Sequence, residues 1–161
     1  MLIVMTRDGA IMKTVASDAG VEAWGSLKQL SAGTQSQANQ QMAQLLKLVK
    51  ENEPLCITCH GSDQAIGDEG SDPGDWTWSS DDLAVLLGGL VDGYKGPILM
   101  EVCAESVTDF AAHLAVSLEK KRRLNGVWIY GYNKSISINH PFPAPAKLGQ
   151  NAELAGKQVK F

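Results

Sequence analysis

Long apolar runs are missing from this chain: no stretch approaches the ~18 residues a membrane-crossing helix needs, so no membrane partner is expected. The first apolar run, Leu2 to Met5, is too short for the core of an export signal and has no basic residue before it. A cytoplasmic setting is the expectation, with leaderless secretion left open beside it. Cysteine is scarce and odd in number, three in 161 residues, which argues against a full disulfide framework. Arginine occurs only as Arg7, Arg122 and Arg123, and the net charge is −4, so a nucleic-acid surface is not expected either. With 44% hydrophobic and 20% charged residues the chain is not a disordered one, and its length fits a single domain spanning 1–161.

Lys and Arg are absent between Glu51 and Asp92, where ten of the eighteen carboxylates fall: Glu51, Glu53, Asp63, Asp68, Glu69, Asp72, Asp75, Asp81, Asp82 and Asp92. Such a stretch reads as a solvated acidic face, or as a rim that attracts a cationic substrate or a calcium ion. EF-hand spacing is lacking, so no metal and no cofactor is expected, calcium being the weak exception.

What is present is an alternation of two periodicities. Leu2–Met5 and Ile11–Val15 read as short strands, joined by Arg7-Asp8-Gly9-Ala10 as a hairpin turn. Residues 20–35 are loose, broken by Gly25 and Gly33. Met42, Leu45, Leu46 and Val49 then share one face of a helix from about Ser36 to Lys50, which Pro54 closes off. Leu55–Cys59 is a compact apolar strand, followed by a polar, glycine-rich loop from His60 to Trp78. Ser79 or Ser80 caps a helix carrying Leu83, Leu86, Leu87 and Leu90. Ile98–Val102 is the next strand, and Val107, Phe110, Ala111, Leu114 and Leu118 mark a helix that ends in Lys120–Arg123. Val127–Tyr130 and Ser135–Ile138 complete the strands, and the Pro-rich residues 139–161 read as an extended strap and tail. Trp76 and Trp78 read as a seal over the core. His113 reads as a surface histidine, and His140 has no evident partner.

Strands that alternate with helices and are nearly continuous in apolar residues predict an α/β fold, a three-layer sandwich with a mostly parallel central sheet and helices on both faces. Functional groups in such sheets gather at the carboxyl ends of the strands. His60-Gly61 follows directly on one predicted strand and Cys103 on the next. Three chemistries compete there. Cys56-Ile57-Thr58-Cys59-His60 matches the C-x-x-C-H pattern of covalent haem attachment, but a buried strand would aim Cys56 and Cys59 to opposite faces. Zinc held by Cys56, Cys59, His60 and Cys103 meets the same geometric objection. A Cys–His pair is the third, because an imidazole can lower the pKa of a neighbouring thiol. One right-handed crossover separates His60 from Cys103, which places their strands side by side. The N–H groups of Gly61 and Cys103 would then form an oxyanion hole.

An apolar strand ending in His-Gly, followed by a second one ending in an acidic residue, a small or apolar residue and Cys, resembles the caspase-like (clan CD) cysteine peptidases. The matching blocks are Leu55–Gly61 and Ile98–Cys103, within a core of about residues 36–133. The resemblance implies a caspase-like domain that hydrolyses peptide bonds of a peptide or protein substrate. It implies Cys103 as nucleophile, His60 as the residue that protonates the leaving amine, and the N–H groups of Gly61 and Cys103 as oxyanion donors. Val102 and Glu101 depart from the small and aspartate residues usual before the cysteine, and Cys59 stands where serine is common. The family's first specificity pocket maps by position onto Glu101, Tyr132, Asn133 and Ser135, with Asp63 in the acidic loop beside it. An acidic pocket floor favours cleavage after Arg or Lys. A catalytically inactive caspase-like module that binds a protein partner is the alternative from another class, and the oligomeric state is left open.

Overall fold

The computed structural model describes residues 1–70, 72–103 and 110–161, with Cys103 described by its backbone alone. In chain order the elements are β1 (Leu2–Val4), α1 (Gly9–Ser17), a 3-10 turn (Ala19–Trp24), β2 (Leu27–Gln29), α2 (Gln35–Leu46), β3 (Leu55–Gly61), β4 (Ala65–Gly67), β5 (Thr77–Ser79) and α3 (Ser80–Leu87). Then come β6 (Ile98–Cys103), α4 (Phe110–Lys120), β7 (Trp128–Tyr132), a second 3-10 turn (Pro145–Gln150) and β8 (Leu154–Gln158). The main sheet runs β2-β1-β3-β6-β7-β8, parallel throughout except for antiparallel β8. The expected α/β architecture with a mostly parallel central sheet is therefore present. No helix among the described residues is long and apolar enough to cross a membrane.

Side-chain alternation along the strands divides the core into two layers. Leu55, Ile57 and Cys59 of β3, with Ile98, Met100 and Val102 of β6, pack with residues of α2, α3 and α4. Cys56 and Leu99 point the other way and join Ile11, Val15, Val21, Trp24 and Phe142. Both Cys56 and Cys59 are fully buried, on opposite faces of one strand. That geometry fits neither haem attachment nor a zinc knuckle. Trp76 and Trp78 are also buried, their rings edge-to-face at 6.2 Å, and Trp78 Nε1 donates to Asn39 Oδ1.

Helix α3 begins where its sequence signals. The Ser79 hydroxyl accepts from Asp82 N–H, and the Asp82 carboxylate accepts from Ser79 N–H in return. Several expectations fail, the loop expected from His60 to Trp78 among them, since it contains β4 and most of β5. Residues 9–17 form helix α1, not the second arm of a hairpin, because the Asp8 carboxylate accepts from Ala10 N–H and starts a helix there. Ile11 and Val15, one turn apart, are that helix's buried face, and β1 is left to pair in parallel with β2 and β3. Residues 135–138 form no strand beyond an isolated bridge at Ile136. The tail, expected as a strap, instead supplies β8, which pairs along the whole of β7. The start of the helix expected near Val107 lies outside the described residues.

Close packing at the end of β3 is specific. A Cβ on Gly61 would lie 2.3 Å from Val102 Cγ1 and 3.1 Å from Ile66 Cγ2. Gly61→Ala therefore costs about 1–3 kcal/mol through overpacking, measured by urea denaturation. Gly74→Ala, where an added Cβ meets nothing within 4 Å, stays within about 0.5 kcal/mol of wild type.

Candidate functional site

His60 closes the parallel ladder of β3 against β6, and its partner in register is Cys103. Beyond β1, strand β4 takes over the same side of β3, pairing antiparallel with His60 and Gly61. Hydrogen bonding alternates along β3: Leu55 N–H donates toward β6 at Pro97 O, and Cys56 N–H donates toward β1 at Met1 O. By this alternation the N–H of Gly61, an odd position, faces the β6 side, where the strand ends in Cys103.

The imidazole meets a group the sequence did not advertise. Nε2 of His60 lies 2.5 Å from Oδ2 of Asp8, the residue that caps α1, and 3.8 Å from Oε1 of Glu69. The His60 side chain is only 14% exposed, so this contact is not screened as a surface pair would be. The hydrogen bond to His60, then the one from Ala10 N–H, holds the Asp8 carboxyl below its usual range. Asp8 is thus an anion at neutral pH, a carboxylate that can only accept, so the contact needs a proton on Nε2 of the ring.

A second carboxylate fixes this corner. Asp68 accepts from the Thr6 hydroxyl at 2.8 Å, from the backbone N–H groups of Arg7 and Trp76, and from the Arg7 guanidinium. Burial pushes its carboxyl up, but these donors outweigh burial and leave it below the usual value. Arg7 also donates to Asp75 and to Gly74 O and lies over the Trp76 ring at 5.0 Å. The open cleft bounded by Thr6, Asp8, Glu69 and Asp72 together with these groups has a volume of about 570 Å³. Five carboxylates line it against one guanidinium, so its field is that of an anion.

The expected specificity residues are placed elsewhere. Glu101 is 4% exposed, accepts from the Tyr132 hydroxyl at 2.6 Å, and lies 3.7 Å from His140 Nδ1. It lines, with Thr58, Ile11, Ile136 and Phe142, a cavity of about 10 Å³, room for one water molecule. The pocket expected around it is closed to an arginine or lysine side chain, because strand alternation turns Glu101 toward α1 and residues 136–142 cover it. Asn133 is exposed and donates from Nδ2 to Ala152 O, and Ser135 is exposed as well. Asp63 is half-buried, with its carbonyl 3.2 Å from His113 Nδ1. His140, for which no partner was evident, contacts Glu153 Oε2 at 2.9 Å and sets its ring edge-on to Tyr132. Protein-family models, curated proteins and solved structures were compared with this chain. None matches.

Burial raises the Glu101 carboxyl to about 8, against an ordinary 4.5, and the Tyr132 hydrogen bond only partly offsets that. The folded state holds this proton more tightly than the unfolded chain does. Its contribution to stability is therefore full below pH 4.5 and is lost as pH rises through about 8. Glu101→Gln, which keeps an acceptor for Tyr132, should match wild type in thermal melts at pH 5 and melt higher at pH 9. Equal melting temperatures at pH 9 would rule out the raised carboxyl.

Proposed function

We propose that this chain is a cysteine endopeptidase of the caspase-like kind, with Cys103 as nucleophile, His60 as proton-transfer residue and Asp8 as the group that orients His60. The observation that carries the reading is the pairing of His60 with Cys103, in register, at the carboxyl ends of adjacent parallel strands. Adjacent strands lie about 4.8 Å apart, so residues paired there are neighbours without further folding.

The chemistry follows from the protonation state of the ring. Asp8 accepts from Nε2, so Nδ1 is the basic nitrogen and takes the thiol proton. The thiolate attacks the substrate carbonyl carbon, and the carbonyl oxygen becomes an oxyanion within reach of the Gly61 and Cys103 N–H groups. As the carbon–nitrogen bond breaks, Nδ1 returns the proton to the leaving amine. Water then attacks the thioester with His60 as base, freeing the carboxylic acid and restoring the thiol. Asp8 stabilises the imidazolium that exists between these transfers, as a carboxylate hydrogen-bonded to it must.

The acidic cleft supports a preference for basic residues. Asp8 and Glu69 lie beside the imidazole and line the cleft with Asp72, whereas Glu101 is shut away, so selection for Arg or Lys is assigned to the cleft rather than to Glu101. Cys56 and Cys59 serve as internal standards for reactivity, being fully buried, with burial pushing the Cys56 thiol well above the ordinary range.

Iodoacetamide labelling read by peptide mass spectrometry tests the pair. Cys103 should label at pH 6–7, well below the ~8.5 of a free thiol, and should lose that advantage in His60→Ala. Cys103→Ala should abolish cleavage of Arg- and Lys-containing peptides, and Asp8→Asn should lower kcat about 10²- to 10⁴-fold, the range of general acid–base assistance. Labelling of Cys103 as slow as that of Cys56 and Cys59 would leave the partner-binding module as the reading.

A further inference from the structure

The same corner brings a further donor, Glu69, to the two residues that the peptidase chemistry uses, Asp8 and His60. We propose that Asp8, His60 and Glu69 bind a borderline divalent cation, Zn²⁺ foremost, and that occupancy switches the imidazole off. The binding half stands by itself, and the switching half rests on the peptidase reading.

One ligand atom from each residue lies within 4.8 Å of the other two. Ligand atoms of a tetrahedral zinc ion stand roughly 3.4 Å apart. The Glu69-to-His60 separation of 3.8 Å is near that value already. The Asp8–His60 pair, at 2.5 Å, has only to trade its shared proton for the ion and part by about an ångström. Glu69 is 67% exposed, so its side chain is free to close on the ion from the cleft.

Donor chemistry selects the metal. One imidazole nitrogen and two carboxylates with a fourth position open to water is a set that suits Zn²⁺, whereas Ca²⁺ and Mg²⁺ take shells of oxygen. Asp8 also has the outer hydrogen bond that orients a ligand: its second oxygen accepts from Ala10 N–H at 2.8 Å. Arg7 engages the neighbouring carboxylates of Asp68 and Asp75, which keeps those two from competing for the ion.

Occupancy and base chemistry exclude each other through one proton. In the free neutral ring the proton is on Nε2 and the lone pair on Nδ1. A cation on Nε2 needs a lone pair on that nitrogen, so the proton moves to Nδ1 with no net release. Nδ1 then has no lone pair to accept the thiol proton, and Asp8 is bound to the ion instead of supporting the ring. Metal binding thereby holds the peptidase in its off state.

The experiment titrates wild type, Cys103→Ser, Glu69→Gln and His60→Ala with Zn²⁺ by calorimetry and with Co²⁺ by visible absorbance. Expected are one ion per chain in wild type and in Cys103→Ser, with Co²⁺ d–d bands and no sulfur-to-cobalt charge transfer. Glu69→Gln should weaken binding about tenfold or more, and His60→Ala should remove it. Nitrogen-15 NMR of the His60 ring should show the proton leave Nε2 for Nδ1 when Zn²⁺ is added. Loss of binding in Cys103→Ser would make the thiolate the ligand and overturn the trio. Unchanged affinity in Glu69→Gln, or Ca²⁺ competing at equal concentration, would overturn it as well. A chain with no peptidase activity leaves all of these readouts in place, so neither failure conceals the other.

Discussion

The register between β3 and β6 is the constraint on which both the core and the site depend. Six consecutive pairs, from Leu55 with Ile98 to His60 with Cys103, lock the two central strands. A slip of one residue would turn Ile57 and Cys59 out of the helical layer and Cys56 into it, so burial on both faces enforces the pairing. The ends of the ladder add to this. Leu55 N–H is held by Pro97 O at one end, and at the other Val102 fills the space that a side chain on Gly61 would need. The juxtaposition of histidine and cysteine is thus a by-product of packing that is required anyway, and it needs no flexible loop to assemble it.

Asp8 depends on a different device. Strands β1 and β4 lie on the same side of β3 but run in opposite directions, so their carboxyl ends meet head to head. The chain leaving β1 and the chain leaving β4 would both present unpaired polar groups at that junction. Asp68 satisfies several of them at once, bonding the Thr6 hydroxyl, the Arg7 and Trp76 N–H groups and the Arg7 guanidinium. Thr6 in turn accepts from Asp8 N–H. An unbroken hydrogen-bonded path therefore runs from the buried foot of the acidic loop to the carboxylate that orients His60. A side chain held by such a path costs little further entropy to aim, which is the condition for a preorganised site.

What the sequence disclosed and withheld follows from the range of the interactions involved. Strands β3 and β6 are buried on both faces, so Leu55–Cys59 and Ile98–Val102 announce themselves by composition. Helix α3 declares its start through Ser79 and Asp82, three residues apart. The edge rule for parallel sheets then picked out His60 and Cys103 from their positions alone. The α1 segment is ambiguous in sequence because Ile11 to Val15 is short enough to fit either period, and Asp8-Gly9 serves a turn or a helix cap equally well. Strand β8 has no apolar alternation, Leu154-Ala155-Gly156-Lys157-Gln158 being mostly exposed. It is a strand only because β7 offers it an open edge. The partners of His60 and His140 were hidden for a related reason. Asp8 is 52 residues from His60, and Glu153 comes beside His140 only through the β7–β8 pairing. Applying the edge rule to β1 as well would have raised Asp8 as a candidate, since it too follows the carboxyl end of a central strand.

Asp8 and Glu101 illustrate how placement, not residue type, decides what a carboxylate can do. Asp8 lies where two donors reach it, one on each oxygen, and stays ionised, which suits it to hold an imidazolium or a cation. Glu101, two residues before Cys103, has one hydroxyl donor and a cavity the size of a water molecule, and burial favours its protonated form. An ionised Glu101 would raise the pKa of any thiol close to it, opposing the thiolate that the proposed peptide cleavage needs. A neutral Glu101 together with an anionic Asp8 separates these effects. In the proposed reaction the negative field then acts on His60, where it would stabilise the charged ring, and is withheld from the thiol, where it would oppose ionisation.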